Sequence, residues 1–192
     1  MAAPRPKHTP RDRTLEAELK FKLSGAAAQA QLRRRLHEVQ AHLEGAYDEE
    51  NLRFWRKGKP PPVSLRLRII DGSRGGILTA KGPARFLRGI KIREETEVEV
   101  SDAQALRDML AYLGYEVAFT YHKHRETWKL PSIAVFLDVL DFGFFVELEG
   151  EVDLLEPTAK ELGLNPRSAL KSSYSAMARK HQAGAKGRAL AG

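Results

Sequence analysis

Alternation of charged and apolar residues constrains the fold of this chain more than any other feature. Residues 15–21 read LEAELKF, so an extended strand would place Glu16, Glu18 and Lys20 on one face and four apolar side chains on the other. One such segment is typical of a strand that packs one face on a core and exposes the other to water. The segment therefore predicts a half-buried β-strand. Its charges indicate a functional site only if the same pattern recurs elsewhere in the chain.

The same alternation does recur along the chain. Charged side chains share one strand face in residues 64–69, 78–81, 91–100, 121–125, 136–138 and 145–149. A solvated strand face usually mixes in Ser, Thr, Gln and Asn, whereas these faces carry mostly Glu, Asp, Lys and Arg. Strands that close on themselves with such faces inward would form a barrel holding both signs of charge. A tunnel of this kind suits a polyanion that binds together with a metal ion.

The ordered set of segments resembles the signature of the CYTH superfamily, the triphosphate tunnel metalloenzymes. The matching segments span roughly residues 14–175 and are, in order, Glu16-x-Glu18-x-Lys20, LRLR at 65–68, LTAKGP at 78–83, Arg93-x-Glu95-x-Glu97, Lys123-x-Arg125, LD at 137–138 and FVELE at 145–149. Each piece is weak alone, but their order and spacing are specific. The resemblance implies an α+β fold, a closed antiparallel β-barrel with helices packed on the outside.

The resemblance also implies roles for individual residues. The basic residues that would grip phosphates and take part in catalysis are Lys20, Arg66, Arg68, Lys81, Arg93, Lys123 and Arg125. Lys171 is added as a substrate-binding residue near the tunnel mouth. The implied metal ligands are Glu16, Glu18, Glu95, Glu97, Asp138, Glu147 and Glu149. We expect Mg²⁺ or Mn²⁺ as cofactor, because hard cations prefer carboxylate and water oxygens.

Two reactions suit such a tunnel. Attack by water would make the protein a triphosphatase acting on tripolyphosphate, thiamine triphosphate or a nucleoside triphosphate. Attack by the ribose 3′-hydroxyl of ATP on the α-phosphorus would yield cyclic AMP and pyrophosphate. Residues 81–83, 93–97, 113–115 and the Lys123-x-Arg125 strand are most similar to the class IV adenylyl cyclase group, which favours cyclisation. No motif for binding adenine is recognisable, so hydrolysis stays the alternative, and a homodimer stays open.

The net charge of +7 raises a rival hypothesis, because basic proteins often bind nucleic acids. Part of the excess lies in residues 1–13 and 183–192, which predict disordered tails on either side of a tunnel domain over residues 14–182. Carboxylates mixed among the strand cations would repel a nucleic-acid backbone. We therefore rank a non-catalytic nucleic-acid or polyphosphate-binding module well below an enzyme.

Other features of the chain exclude whole classes of site. It has no cysteine, which rules out disulfides, thiolate metal sites and a cysteine nucleophile. No P-loop or dinucleotide fingerprint is present. No apolar run is long enough for a secretory signal or a membrane span, so we expect a cytoplasmic protein that does not enter a membrane.

A coarse assignment of elements places these motifs. The first charged strand is followed by a helix over residues 25–42, a strand at 45–48 and a short helix at 49–57. Residues 71–76 predict a hairpin turn, and residues 84–89 a mobile loop. Asp102 predicts the N-cap of a helix that ends at Gly114. Strands are expected at 115–119, 121–129, 133–140 and 143–149, with helices at 151–162 and 168–182.

Overall fold

The computed structural model describes residues 14–56, 58–59 and 62–189, which form strands, four α-helices and one 3₁₀ turn. The strands are β1 (Thr14–Leu23), β2 (His42–Arg56), β3 (Ser64–Ile70), β4 (Gly76–Lys81), β5 (Arg85–Leu87), β6 (Ile90–Val100), β7 (Tyr115–Lys129), β8 (Ile133–Leu140) and β9 (Gly143–Gly150). The helices are α1 (Ala26–Glu38), α2 (Ala103–Tyr112), α3 (Val152–Glu161) and α4 (Tyr174–Ala189), with the 3₁₀ turn at Pro166–Ser168. None of the described helices is long and apolar enough to cross a membrane.

Eight of the strands close into an antiparallel barrel. Their order is β1-β9-β8-β7-β2-β3-β4-β6, and pairing of β6 with β1 completes the ring. The short strand β5 pairs with β6 beside this ring. Closure leaves no barrel edge unpaired, which removes the main route to edge-to-edge aggregation. The predicted closed antiparallel barrel with external helices is confirmed.

The hydrophobic core lies between the outside of the barrel and the helices. Leu36 of α1 and Leu155 of α3 are completely buried against apolar residues of β1, β8 and β9. Leu110 of α2 packs with Leu52 and Leu67 over another part of the wall. Because successive side chains alternate between faces, burying the apolar set outside turns the charged set inward.

The structure corrects the assignment of residues 42–56. Where a strand at 45–48 and a helix at 49–57 were predicted, residues 42–56 form one continuous strand, β2, which pairs with β3 on one side and β7 on the other; residue 57 lies outside the described residues. Both sets of pairings satisfy the backbone groups of residues that a local pattern assigned to a helix. The tertiary partners therefore override the local signal, as they often do for strands.

Smaller differences concern element ends. Strand β7 runs unbroken across the predicted gap near residue 120, and β5 lies inside the predicted loop at 84–89. Helix α1 ends at Glu38, and the chain then turns at Gln40, whose φ is 57°. Helix α4 begins six residues later than predicted and reaches Ala189, into the segment expected to be a tail. Residues 1–13 and 190–192, also expected to be tails, lie outside the described residues.

Candidate functional site

A cavity of about 400 Å³ occupies the inside of the barrel, and every barrel strand contributes to its lining. Nine basic and six acidic side chains line it, an excess of three positive charges. Thirteen of the fifteen predicted site residues are among them, namely Glu16, Glu18, Lys20, Arg66, Arg68, Lys81, Arg93, Glu95, Glu97, Lys123, Arg125, Glu147 and Glu149. The period-two alternation is the reason these residues meet, since each occupies the inward parity of its strand.

Two predicted residues lie elsewhere. Asp138 is completely buried behind the lining, where its two carboxylate oxygens accept hydrogen bonds of 2.7 Å each from Arg125. That geometry suits a residue that orients Arg125 better than a metal ligand facing the cavity. Lys171 is exposed just before α4, with its ammonium 5.9 Å from the centre of the Phe86 ring.

Three cations form a deeply buried group beneath the start of α4, and we call Lys20, Lys123 and Arg125 the inner cation group. Glu147 pairs with Lys20 at 2.8 Å and with Arg125 at 2.6 Å. Burial opposes the charged form of Glu147, but Lys20 and Arg125 outweigh it and hold its pKa well below the ordinary value. Each carboxylate of this neighbourhood is therefore neutralised by the protein's own cations.

Within this group, Lys123 differs from Lys20. Burial opposes the charge on Lys20, but Glu147 and Glu18 overcome it and raise its pKa. For Lys123, burial and the adjacent Arg125 prevail over the nearby carboxylates and lower its pKa to about 8. Lys123 is therefore still mostly protonated at pH 7, but its pKa of about 8 lies close to that pH.

Four glutamates, Glu16, Glu18, Glu95 and Glu149, form a second group that we call the outer carboxylate group. Burial, and then a hydrogen bond with Glu95, raises the pKa of Glu16 to about 8. Burial also opposes the charge on Glu95, but Lys81 and the bond with Glu16 lower its pKa. The Glu16 carboxyl therefore keeps its proton and donates a hydrogen bond to the Glu95 carboxylate. The pKa of Glu149 is raised by burial and then by Glu147.

The depth of the cavity changes along β1. The side chain of Lys20 is 3% exposed, that of Glu18 is 16% exposed and that of Glu16 is 25% exposed. Along β1, Lys20 of the inner cation group is therefore the deepest of the three, and Glu18 and Glu16 lie nearer to solvent, although Glu95 of the outer carboxylate group is itself only 1% exposed.

Two arginines of β3 lie beside Glu97 on the cavity wall. Arg66 and Arg68 are 3.6 and 3.7 Å from the same Glu97 oxygen, which also accepts a hydrogen bond of 2.7 Å from Thr79. The Nε atoms of both arginines are buried, and they have no hydrogen-bond partner among the described residues. Buried guanidinium N–H groups without acceptors are costly, so they indicate a site that an anion completes.

Several lining or supporting residues were missing from the prediction. Glu49 is buried between Lys123 at 3.2 Å and Arg68 at 3.5 Å. Its burial opposes ionisation, but Lys123 and Arg125 prevail and lower its pKa to about 2. Arg53 lines the cavity, and Asn51 lies between the two in sequence, completely buried. All three were missed because residues 49–57 were predicted to be a helix. Their i, i+2 spacing, which begins at Tyr47, is the pattern of one strand face and would have indicated them.

Lys91 and three tyrosines complete the lining. Lys91 donates a hydrogen bond of 2.5 Å to Glu18, and it was aligned with Arg93 in the sequence without being given a role. Tyr47, Tyr121 and Tyr174 also line the cavity, and no charge pattern marks them, because tyrosine is intermediate in burial and occurs both in cores and at surfaces.

The outer carboxylate group fits a divalent cation chemically. Within the described part of the chain, no three carboxylates or imidazoles already converge on one metal-binding point. However, burial and then neighbouring carboxylates raise the pKa of Glu16 to about 8 and raise the pKa of Glu149, so these two carboxyl groups hold protons more readily than exposed ones. A hard cation with oxygen ligands would take the place of these protons. Glu16, Glu18 and Glu149 are the residues that could hold it.

Comparison with known proteins places this site in context. The chain is 32% identical over 100 residues to a protein of Methanocaldococcus jannaschii named "Putative adenylate cyclase". That match covers 52% of this chain and 55% of the relative, so the chain spans about half the length of the curated relative that it matches.

Two solved structures share the fold. The structure of "a putative adenylate cyclase" from Vibrio parahaemolyticus has a TM-score of 0.75 and 18% identity, covering 88% of this chain and 99% of that one. A Hippeastrum protein, described as a "putative adenylyl cyclase" with a dominant triphosphatase activity, has a TM-score of 0.69 and 20% identity, covering 86% and 96% of the two chains. At these identities the likeness shows the fold alone. Residues 14–162, most of the chain, match the family model of the CYTH domain, and the protein therefore belongs to the CYTH domain family.

Proposed function

We propose that this protein is a divalent-metal-dependent enzyme that binds a triphosphate inside its barrel and cleaves it. The observation that carries the proposal is the enclosed cavity with nine basic and six acidic side chains, in which Arg66 and Arg68 keep buried, unpartnered N–H donors. Such donors are matched by a compact polyanion with many acceptor oxygens. Divalent-metal use is implied by membership of the CYTH family and is supported by the outer carboxylate group.

Different residues would bind the phosphates and the metal ion, according to their positions in the cavity. Arginine forks and lysine ammonium groups would bind the phosphoryl oxygens, with Glu147 and Asp138 holding Lys20 and Arg125 in place. Glu16, Glu18 and Glu149 would hold the metal ion, which would neutralise charge on the phosphoryl group under attack. The specific ion, Mg²⁺ or Mn²⁺, belongs to this proposal.

Two reactions use this arrangement, and different observations favour them. Cyclisation of ATP, in which the 3′-oxygen displaces pyrophosphate from the α-phosphorus, is favoured by the names of the similar proteins. Hydrolysis by water is favoured by the lining itself, in which Phe136 is the one wholly apolar side chain among the described residues. The Phe136 ring already stacks on Arg125, whose guanidinium carbon is 4.0 Å from the ring centre. The geometry alone therefore supports a triphosphatase more directly than a site for a purine base.

The basic side chains that line the cavity point inward, which argues against a nucleic-acid-binding module. Nine of the basic side chains point into a cavity that a duplex or a folded RNA does not enter. A binding module would instead carry a continuous basic surface on its outside. The small triphosphate, rather than a polynucleotide, is the proposed partner.

One assay tests the proposal. Purified protein is incubated with ATP, tripolyphosphate and thiamine triphosphate in turn, with Mg²⁺ or Mn²⁺, and cyclic AMP, pyrophosphate and orthophosphate are resolved. We expect metal-dependent product from at least one substrate, cyclic AMP with pyrophosphate for a cyclase and orthophosphate for a triphosphatase. Absence of every product, together with a salt-sensitive shift of RNA or duplex DNA, would overturn the proposal in favour of a binding module.

A further inference from the structure

One basic side chain of the cavity lacks the carboxylate partner that the others have. Eight of the nine basic residues in the lining lie within ion-pair distance of a carboxylate. Arg53 of β2 is the ninth, and no described residue supplies a carboxylate at that distance from it. Its guanidinium donates a hydrogen bond to the Ser64 hydroxyl, a neutral group that also lines the cavity and leaves the charge uncompensated.

Arg53 is also deeply buried, with 9% of its surface exposed. Burial lowers the pKa of Arg53 to about 10; Tyr121 opposes this shift, and Arg66 adds to it. The guanidinium therefore stays charged at neutral pH in a place that disfavours the charge. A buried charge without a counter-ion is costly, so this one indicates an anion that the protein itself does not supply.

A second guanidinium lies beside Arg53. In the register of β2 and β3, Arg53 is directly opposite Arg66, and residues directly opposite each other on antiparallel strands point to the same face of the sheet. Both residues line the cavity. Glu97, at 3.6 Å from Arg66, is the one carboxylate at ion-pair distance from either of them among the described residues. Like charges held side by side destabilise each other, and an anion bound between them relieves this repulsion.

This pair of arginines is separated from the inner cation group along the barrel wall. Glu49, which pairs with Lys123 at 3.2 Å, lies four residues before Arg53 on β2. At the usual rise of a strand, this places the two backbone positions roughly 13 Å apart. Lys123 and Arg53 are therefore placed to contact different phosphoryl groups of one chain rather than the same group.

We propose that Arg53 is a substrate-binding residue that, beside Arg66, binds the phosphoryl group at one end of the triphosphate, while the inner cation group binds the other end. This inference rests on the proposed function. It adds a binding residue that belongs to none of the motif segments recognised in the sequence, and it aligns the triphosphate with β2. A phosphate chain that reaches both places is thereby favoured over a single phosphate, which reaches only one.

The test is Arg53→Met, which keeps much of the length of the side chain and removes its charge. The affinity for tripolyphosphate is measured by titration calorimetry in EDTA, which prevents metal-dependent turnover. We expect it to fall about tenfold or more, as for hydrogen bonds to a charged group. The melting temperature of the free variant should stay equal or rise, because an uncompensated buried charge is removed.

Two further variants serve as comparisons. Arg53→Lys keeps the charge without the planar fork of donors, so it should lose less affinity than Arg53→Met. Arg56→Met, at an exposed arginine three residues further along β2, is the matched control and should change neither the affinity nor the melting temperature.

The outcomes separate this inference from the proposed function. Equal tripolyphosphate affinities of Arg53→Met and the wild-type protein would overturn the inference and leave the proposed function standing. A lower melting temperature of the free Arg53→Met variant would also overturn it, because Arg53 would then support the fold instead of a ligand. Turnover of a triphosphate by the wild-type protein without tripolyphosphate binding in EDTA would overturn it too, since the metal ion would then hold the substrate. Neither binding nor turnover by the wild-type protein would overturn both.

Discussion

The inner cation group and the outer carboxylate group are both buried assemblies of charge, but the pKa values of their carboxylates shift in different directions. Around Lys20, Lys123 and Arg125, each carboxylate has cations within ion-pair distance, and the pKa of Glu147 is held far below its usual value. In the outer group, the pKa of Glu16 rises to about 8. Glutamates that line the same cavity therefore ionise differently, because burial opposes the charge on each and the neighbouring cations offset it to different extents.

This contrast shows how the barrel separates two tasks. The inner group is rigidly paired before any ligand arrives, which suits a surface that must hold phosphoryl oxygens in a fixed geometry. The outer group holds protons on buried carboxyl groups, and a divalent cation could take their place. The predictions below disturb one group or the other, from the largest expected effect to the smallest.

The largest effect is expected for Lys20→Ala, which removes the main partner of Glu147 from the inner group. We expect turnover to fall about a hundredfold or more, the usual cost of deleting one preorganised charged donor. Steady-state kinetics measures this loss. The control is Lys22→Ala, an exposed lysine two residues along the same strand, which should keep its activity. Equal activity of both variants would exclude Lys20 from the binding site.

Breaking the balance of the inner group should destabilise the fold, whereas the outer group should tolerate the matching change. Glu147→Gln leaves Lys20 and Arg125 without their shared carboxylate, and we expect the free energy of unfolding to fall by about 3 kcal/mol. Glu149→Gln, two residues away, removes a carboxylate whose pKa is already raised, and it should leave stability unchanged or higher. Denaturant unfolding of both variants decides this, and equal losses would contradict the division into two groups.

The two groups should also differ in metal dependence. Glu16→Gln is expected to raise the Mg²⁺ concentration for half-maximal rate about tenfold, because it removes a proposed ligand. Asp138→Asn should lower the maximal rate by loosening Arg125, while the half-maximal Mg²⁺ concentration stays the same. Rate measured against metal concentration distinguishes them. A higher half-maximal Mg²⁺ concentration in Asp138→Asn would instead indicate that Asp138 is a metal ligand.

The smallest effect is the pH dependence of the inner group. The lowered pKa of Lys123, about 8, means that its ammonium loses a proton as the pH rises from 7 to 9. One binding charge is lost over that window, so tripolyphosphate affinity should weaken several-fold as the pH increases. Lys123→Arg keeps its charge and should remove most of the decline. If the tripolyphosphate affinity of the wild-type protein stays constant between pH 7 and 9, Lys123 does not titrate in that range.

Local sequence was informative wherever the period of the pattern matched the geometry of the element. Asp102 does cap α2, accepting a hydrogen bond from the backbone N–H of Ala105, and the helix stops before Gly114. The inward glutamates and arginines were found because a strand alternates faces whatever its partners are. Residues 49–57 were wrongly predicted to be a helix. Their inward residues are an acid, an amide and a base, Glu49, Asn51 and Arg53, so they do not form the uniformly charged strand face that marks the other strands. Their strand state depends on β3 and β7, which lie far away in sequence.

Sequence by itself determined thirteen of the residues that line the cavity, because side-chain alternation is a local property of the backbone. The closed barrel with outer helices was predicted from the resemblance of the ordered motifs to the CYTH superfamily. Only the tertiary structure decided that Asp138 lies behind Arg125, that Glu49 and Arg53 join the site, and that Tyr174 from the last helix is part of its lining. It also decided which glutamates stay charged. Ionisation depends on burial and on distances between side chains of different strands, and neither is encoded in the spacing along one strand.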